Sequence, residues 1–568
     1  MFPFSRRFLH ASPLLWTAFA TATAFAQARH VSCVPVDAST PAPNPAIRLQ
    51  WLGDTKAAAS KFAELLAQQP NDPDLTEGSV RVNIALNNVP LAAQLAQSAL
   101  AAHPDSAPAN TAQGEVLFRQ GKISDSDKLF ARATQLDPCY AVARMEQARV
   151  AHAASMYATA IKAITVAHAL NQRDPDIRMM WISTLPVADR IAELKKLKQA
   201  LPGDSEAAQS MAARIDGDEE RLQQAGQHRC ELVSPVDSTR LPMVPIMWDP
   251  VHIETWGLDT EINGKSARLI LDSGASGLVI GRAFADHAGL KVAEHELIGG
   301  FGDHGPSKAY SAYADDIKIG GLEFRDCRVD VTDRREVIGT AGLVGTDVFR
   351  HYLVSVDFPD HEVRLDQLPP RPGAQAAGEA RNLDTDAEAS STATTSTGTA
   401  ATGPQDRYIA PEMKEFTPIY RFGHILLIPA LVNKKAEGLM ELDSGDESMS
   451  LSYELASKVT HSRLDTIDDF HGLSGKVEKL SEGGDVNFSF GRAAVKVNDV
   501  SVMDHSRMSA DIGTEISGFI GAPALHSLVF QIDYRDGLVN FLYDKKKDPN
   551  RAPAPGTECN YCNPGYTK

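Results

Sequence analysis

Two segments in the C-terminal half of the chain follow one plan, and that duplication constrains the fold more than any other feature. The first, Ala267–Ile280, is an apolar strand that runs into Asp272-Ser273-Gly274-Ala275-Ser276 and then into a second apolar stretch. The second, Gly438–Leu451, is an apolar strand that runs into Asp443-Ser444-Gly445, then Asp446 and Glu447, then another strand-like run. Each copy is followed by two apolar residues and a glycine: Leu343-Val344-Gly345, 73 residues after Asp272, and Phe519-Ile520-Gly521, 78 residues after Asp443. Each closes with a strand pair, Leu353–Asp357 with Val363–Leu365 and Leu528–Asp533 with Val539–Leu542. A lone Asp-Ser-Gly is a common turn sequence and says little. Two copies with matched downstream spacing predict two similar β-units facing each other across a pseudo-twofold axis.

Two carboxyls brought together by such an axis have a distinct chemistry. Held about 3 Å apart they cannot both ionise, so one pKa falls and the other rises. The charged member can act as base to a water while the protonated member polarises a carbonyl, and the shared proton belongs to the pair. At these residues the chain resembles the aspartic peptidases, and within them the retropepsin-like families, over roughly residues 245–368 and 412–545. The resemblance implies that Asp272 and Asp443 are the catalytic pair, with no metal and no organic cofactor. Ser273 and Ser444 would hydrogen-bond across the two loops, and Gly274 and Gly445 would permit the tight turns beneath the carboxyls. Ala275 and Ser276 continue the first loop as in retropepsins, while Gly345 and Gly521 would let the following segments pack against each loop. Glycine-containing hairpins at Gly299–Gly302 with Gly305, and at Gly472–Gly475, stand where the family places its flaps.

The second motif departs from the pattern. Asp446 and Glu447 replace the counterparts of Ala275 and Ser276, and nearby carboxylates disfavour ionisation of Asp443. The expected consequence is a working pH moved upward, or weakened activity. The alternative is therefore a catalytically weak or inactive pseudo-peptidase that acts as a peptide-binding or scaffold protein.

The first third has a different texture. Prolines recur at Pro70, Pro104, Pro138 and Pro175, with separations of 34, 34 and 37 residues. The stretch from Phe118 through Gly121, Phe130 and Ala133 to Pro138 resembles the second half of a tetratricopeptide unit, whose period is about 34 residues. Gly121 is expected in the turn between helices, Phe130 and Ala133 on a buried face, and the prolines at helix exits. Gly53, Ala58, Phe62 and Pro70 repeat these offsets earlier, and Ala92, Ala96, Ala99 and Pro104 fill the copy between. Small residues let paired helices approach, and each pair leaves an apolar face for the next to cover. The resemblance implies an α-solenoid of four or five hairpins that recruits substrate or a protein partner.

The whole chain reads as multidomain: an all-α, tetratricopeptide-like solenoid followed by an all-β bilobal aspartic-peptidase fold. The expected divisions are a signal peptide at 1–26, the solenoid at 40–230, lobe 1 at 240–368, a disordered linker at 369–408, lobe 2 at 409–546 and a tail at 547–568. Arg6 and Arg7, the apolar stretch Leu14–Phe25 and the small-x-small Ala24-Phe25-Ala26 form an export signal. The apolar stretch is shorter than the ~20 residues a membrane span needs. The mature protein is thus expected to be periplasmic or secreted, with no membrane span after signal removal. Its six cysteines could then form disulfides, whose pairing the sequence leaves open. A net charge of −17 argues against a nucleic-acid partner. The expected ligand is a peptide or protein substrate.

Overall fold

The computed structural model describes residues 32–543 apart from 38, 204, 226, 235, 248–252, 335–337, 340, 373–403, 447, 462–470 and 478. The segment expected to be an export signal, the tail with Cys559 and Cys562, Glu447 and most of the expected linker lie outside the described residues.

From Pro45 to Ala225 the chain forms eleven α-helices among the described residues, packed as successive antiparallel hairpins. Their starts are written locally. Asp54, Asp72, Ser106 and Asp174 each accept a backbone N–H of the first turn, satisfying a donor that has no partner within the helix. Helices Thr55–Gln68, Val89–Ala102 and Ile123–Leu136 each stop two residues before Pro70, Pro104 and Pro138. Pro175 breaks this series. It opens helix Pro175–Ser183, where the missing N–H costs nothing, instead of closing the helix before it. Ala58, Phe62, Ala92, Ala96, Ala99, Phe130 and Ala133 are all fully buried. The Phe130 ring lies so close over Gly114 that a Cβ there would collide with it.

Among the described residues two disulfides brace the molecule. Cys33–Cys139 ties the entry segment to the solenoid, and Cys230–Cys327 ties the exit of the solenoid to strand Leu322–Thr332 of lobe 1.

The two β-units share their central device. Strand Lys265–Asp272 runs parallel to Gly342–Gly345, with Asp272 opposite Gly345. Strand Ala436–Leu442 runs parallel to Gly518–Ile520, with Leu442 opposite Ile520. The closing hairpins then join the lobes, because Tyr352–Asp357 pairs antiparallel with Leu528–Asp533, Val354 opposite Ile532. Both units consequently share one apolar core, in which Leu271, Val344 and Val354 meet Leu442, Ile520 and Phe530.

The solenoid is seated on lobe 2. Phe118, Ile123, Phe130 and Val150 pack with Leu427, Leu439, Ile516 and Phe519. The Thr514 hydroxyl donates to the Phe118 carbonyl at 2.6 Å, and Asp406 accepts from the Thr159 backbone at 2.9 Å and hydroxyl at 2.8 Å. Arg421 reaches the Tyr157 hydroxyl at 3.1 Å.

Candidate active site

Each Asp-Ser-Gly loop begins where a buried strand ends, so its aspartate is held by the sheet and pointed at the other lobe. Leu269 and Leu271 are buried on one side of the dyad, Met440 and Leu442 on the other. The loops are locked by a reciprocal set of four hydrogen bonds. Ser273 N–H donates to Ser444 Oγ at 3.0 Å, and Ser444 N–H donates to Ser273 Oγ at 2.9 Å. The Ser273 hydroxyl donates to the Leu442 carbonyl at 3.0 Å, and the Ser444 hydroxyl to the Leu271 carbonyl at 3.1 Å.

The glycines fit crosswise. A Cβ on Gly274 would stand 2.7 Å from Asp443 Cγ, and one on Gly445 would stand 2.6 Å from Asp272 Cγ. Each loop backbone is therefore the floor on which the opposite carboxyl rests. Gly274 N–H also donates to Asp272 Oδ1 at 2.7 Å, and Gly445 N–H to Asp443 Oδ1 at 2.9 Å. Gly345 and Gly521 lie against the backbone of the loops after the motifs, at Ala275 and at Asp446 and Ser448. Ala275 joins an apolar cluster with Ile270, Val279, Ile338 and Leu343. Ser276 turns away from the dyad. Its hydroxyl donates to Asp347 at 2.9 Å, and Asp347 also accepts the Gly277 N–H at 2.8 Å.

Asp272 and Asp443 are hydrogen-bonded to each other through their side chains. Burial first, then the Asp443 charge, holds Asp272 well above the usual carboxylate range. Burial also raises Asp443, to about 7, with Asp446 and Glu441 adding to the rise and the hydrogen bond from Asp272 opposing it. Both carboxyls are thus held above their ordinary range, and the proton they share belongs to the pair.

Both glycine hairpins reach over this site and touch. Ser474 N–H donates to the Phe301 carbonyl at 2.9 Å, and His304 N–H to the Ser474 carbonyl at 2.8 Å. Gly302 at φ +121° and Gly475 at φ +95° permit the tips to cross. Leu473 then rests on the lobe 1 cluster around Ile270, while Phe301 stands edge-on to Phe519 of lobe 2 at 5.2 Å.

Two residues escaped the sequence reading. Asp347 is the brace of the first loop, and nothing in its setting marks it beforehand. Glu441 did carry a signal: it is a carboxyl inside the apolar run Leu439-Met440-Glu441-Leu442, and it is buried beside the dyad. Asp446 affects Asp443 in the expected direction, and the second carboxyl that does so is Glu441.

A pair of lobes, each giving one aspartate to a shared carboxyl dyad beneath meeting hairpins, defines the aspartic-protease class of fold. Residues 258–348 match the family model described as "Aspartyl protease", and the chain carries a domain of that family behind tetratricopeptide-like helical repeats. Among solved structures, the aspartic proteinase from Irpex lacteus aligns at 9% identity over 54% of this chain and 98% of its own, with a TM-score of 0.31. A tetratricopeptide-repeat protein of Thermus thermophilus aligns at 19% identity over 31% of this chain and 95% of its own, with a TM-score of 0.25. No curated protein matches the sequence.

Proposed function

We propose that the chain is an extracytoplasmic aspartic endopeptidase in which the Asp272–Asp443 pair hydrolyses peptide bonds, and in which the solenoid recruits substrate or partner. The observation that carries this reading is the reciprocal serine lock beneath two hydrogen-bonded carboxyls. In the reaction, ionised Asp443 takes a proton from a water as its oxygen attacks the scissile carbonyl carbon. Protonated Asp272 gives its proton to the carbonyl oxygen, forming a neutral diol. Collapse of the diol returns one hydroxyl proton to the dyad, and the leaving nitrogen takes the other proton from it as the carbon–nitrogen bond breaks.

Both disulfides accord with an oxidising compartment, as does the export signal read at the N-terminus. The seating of the solenoid on lobe 2 supports delivery of a bound chain to the cleft, since Leu439 of that interface lies on the strand that leads into Asp443. Cleavage of a mixed peptide pool across an acid-to-neutral pH series tests the reading. Products that disappear in Asp272→Asn support it. A pool left uncut at every pH favours the peptide-binding alternative.

A further inference from the structure

The two lobes agree in backbone and disagree in what they present beside the dyad. Side chains alternate along a strand, so the residue two before each aspartate lies on the same side of the sheet as that aspartate. In lobe 1 that residue is Ile270, and in lobe 2 it is Glu441. Three residues after the aspartates, lobe 1 has Ala275 and lobe 2 has Asp446. Ile270 and Ala275 belong to the apolar cluster on which Leu473 of the opposite hairpin rests. The symmetric place in lobe 2 thus holds two carboxyls where lobe 1 holds two apolar side chains.

Glu441 is only 3% exposed, and its Oε2 has no hydrogen-bond partner. Leaving a buried polar atom unmet is costly, and among the described residues no cation acts on this one. Burial first, and then the acidic neighbours Asp272 and Asp446, raise Glu441 to about 8. Asp446 Oδ1 is already held by the Ser448 N–H at 2.8 Å and hydroxyl at 2.9 Å. Above this pair, Phe519, the strand partner of Glu441, is covered by Phe301 at the tip of the first hairpin. Beneath the hairpins the dyad is thus flanked by carboxyls on the lobe 2 side and by apolar side chains on the lobe 1 side.

We propose that Glu441, with Asp446 beside it, recognises a lysine or arginine side chain flanking the scissile bond, while the Ile270 wall takes an apolar residue on the other flank. This rests on the peptidase reading for the cut itself, but the recognition is a binding property and is separable from it. The test uses the full mature protein carrying Asp272→Asn, which can bind without cutting. Two peptides are compared that differ only in lysine against norleucine next to a central apolar residue.

Measured above pH 8, where Glu441 is ionised and lysine still charged, a buried charge pair of this kind predicts tighter binding of the lysine peptide by about tenfold or more, and loss of that ratio in Asp272→Asn with Glu441→Gln. Equal affinity for the two peptides, or a ratio unchanged by Glu441→Gln, overturns the proposal. Near-ultraviolet circular dichroism confirms that the variants keep the fold. In parallel, the unmutated protein is given the peptide pool. Cleavage with no basic residue enriched beside the cut overturns the recognition alone. Absence of cleavage with the lysine preference intact overturns the peptidase reading and leaves the recognition standing.

Discussion

Ser273 and Ser444 each receive the other's backbone N–H on their hydroxyl oxygen, at 2.9 and 3.0 Å, although 171 residues separate them in sequence. Each hydroxyl then donates to the carbonyl just before the opposite aspartate. This lock makes two chain-distant loops into one rigid platform. Ser444→Ala removes one donor and leaves a buried Ser273 N–H and a Leu271 carbonyl unmet, so stability should fall by about 1–3 kcal/mol. Denaturant unfolding reads this, and activity should fall with it because the carboxyls lose their alignment. A stability change within about 0.5 kcal/mol would mean that the lock is dispensable.

The crosswise seating of the glycines predicts a different result. Gly445→Ala places a methyl 2.6 Å from Asp272 Cγ, in the middle of the dyad. The carboxyl must shift, and misplacement of about 1 Å can cost on the order of a hundredfold in rate. Peptide turnover should collapse far more than thermal stability does. Retained turnover would show that the loops have more room than the closed arrangement indicates.

The dyad's acidic surroundings set a pH dependence with a definite sign. Asp443 titrates at about 7 in the fold and near its ordinary value of 3.8 when unfolded. The native state therefore binds the extra proton between those values, and stability falls as pH rises through that window. Glu441, raised from 4.5 to about 8, acts in the same direction. Glu441→Gln should flatten the decline. Asp446→Asn removes the larger of the two charges that raise Asp443 and should move the acid limb of the pH–rate profile to lower pH. Unfolding curves and turnover measured across the same pH series check both halves. An unmoved acid limb would separate Asp446 from the dyad.

The solenoid interface should be energetically real. Phe118 is fully buried between the helices and lobe 2, edge-on to Phe422 at 6.3 Å, and its carbonyl receives the Thr514 hydroxyl. Phe118→Ala should destabilise by about 3–5 kcal/mol, as large-to-small changes in packed cores do. Limited proteolysis should then release the helices from the β-lobes sooner. A variant as resistant as the parent would mean that the solenoid is only tethered.

The duplicated unit was legible because its chemistry is local: each Asp-Ser-Gly ends a strand, and each downstream glycine must pack against its loop. The helical hairpins were legible for a similar reason, since proline and alanine positions repeat with the period. Pro175 was misread as a helix exit because proline both ends helices and begins them, and only the capping Asp174 tells the cases apart. Asp347 was hidden because its role depends on a contact 71 residues away in sequence with Ser276, which no local pattern encodes. Glu441 was written plainly within an apolar strand, but its importance follows from symmetry with Ile270, which requires the two lobes to be superposed in register.

The central claim is that one aspartate from each lobe forms the catalytic pair. It is tested most directly by measuring turnover of a single cleaved peptide by the mature protein, by Asp272→Asn and by Asp443→Asn, each verified as folded. The pair predicts that either substitution alone abolishes turnover to background, because neither carboxyl can serve as both base and proton donor. Substantial turnover surviving in either variant would contradict it.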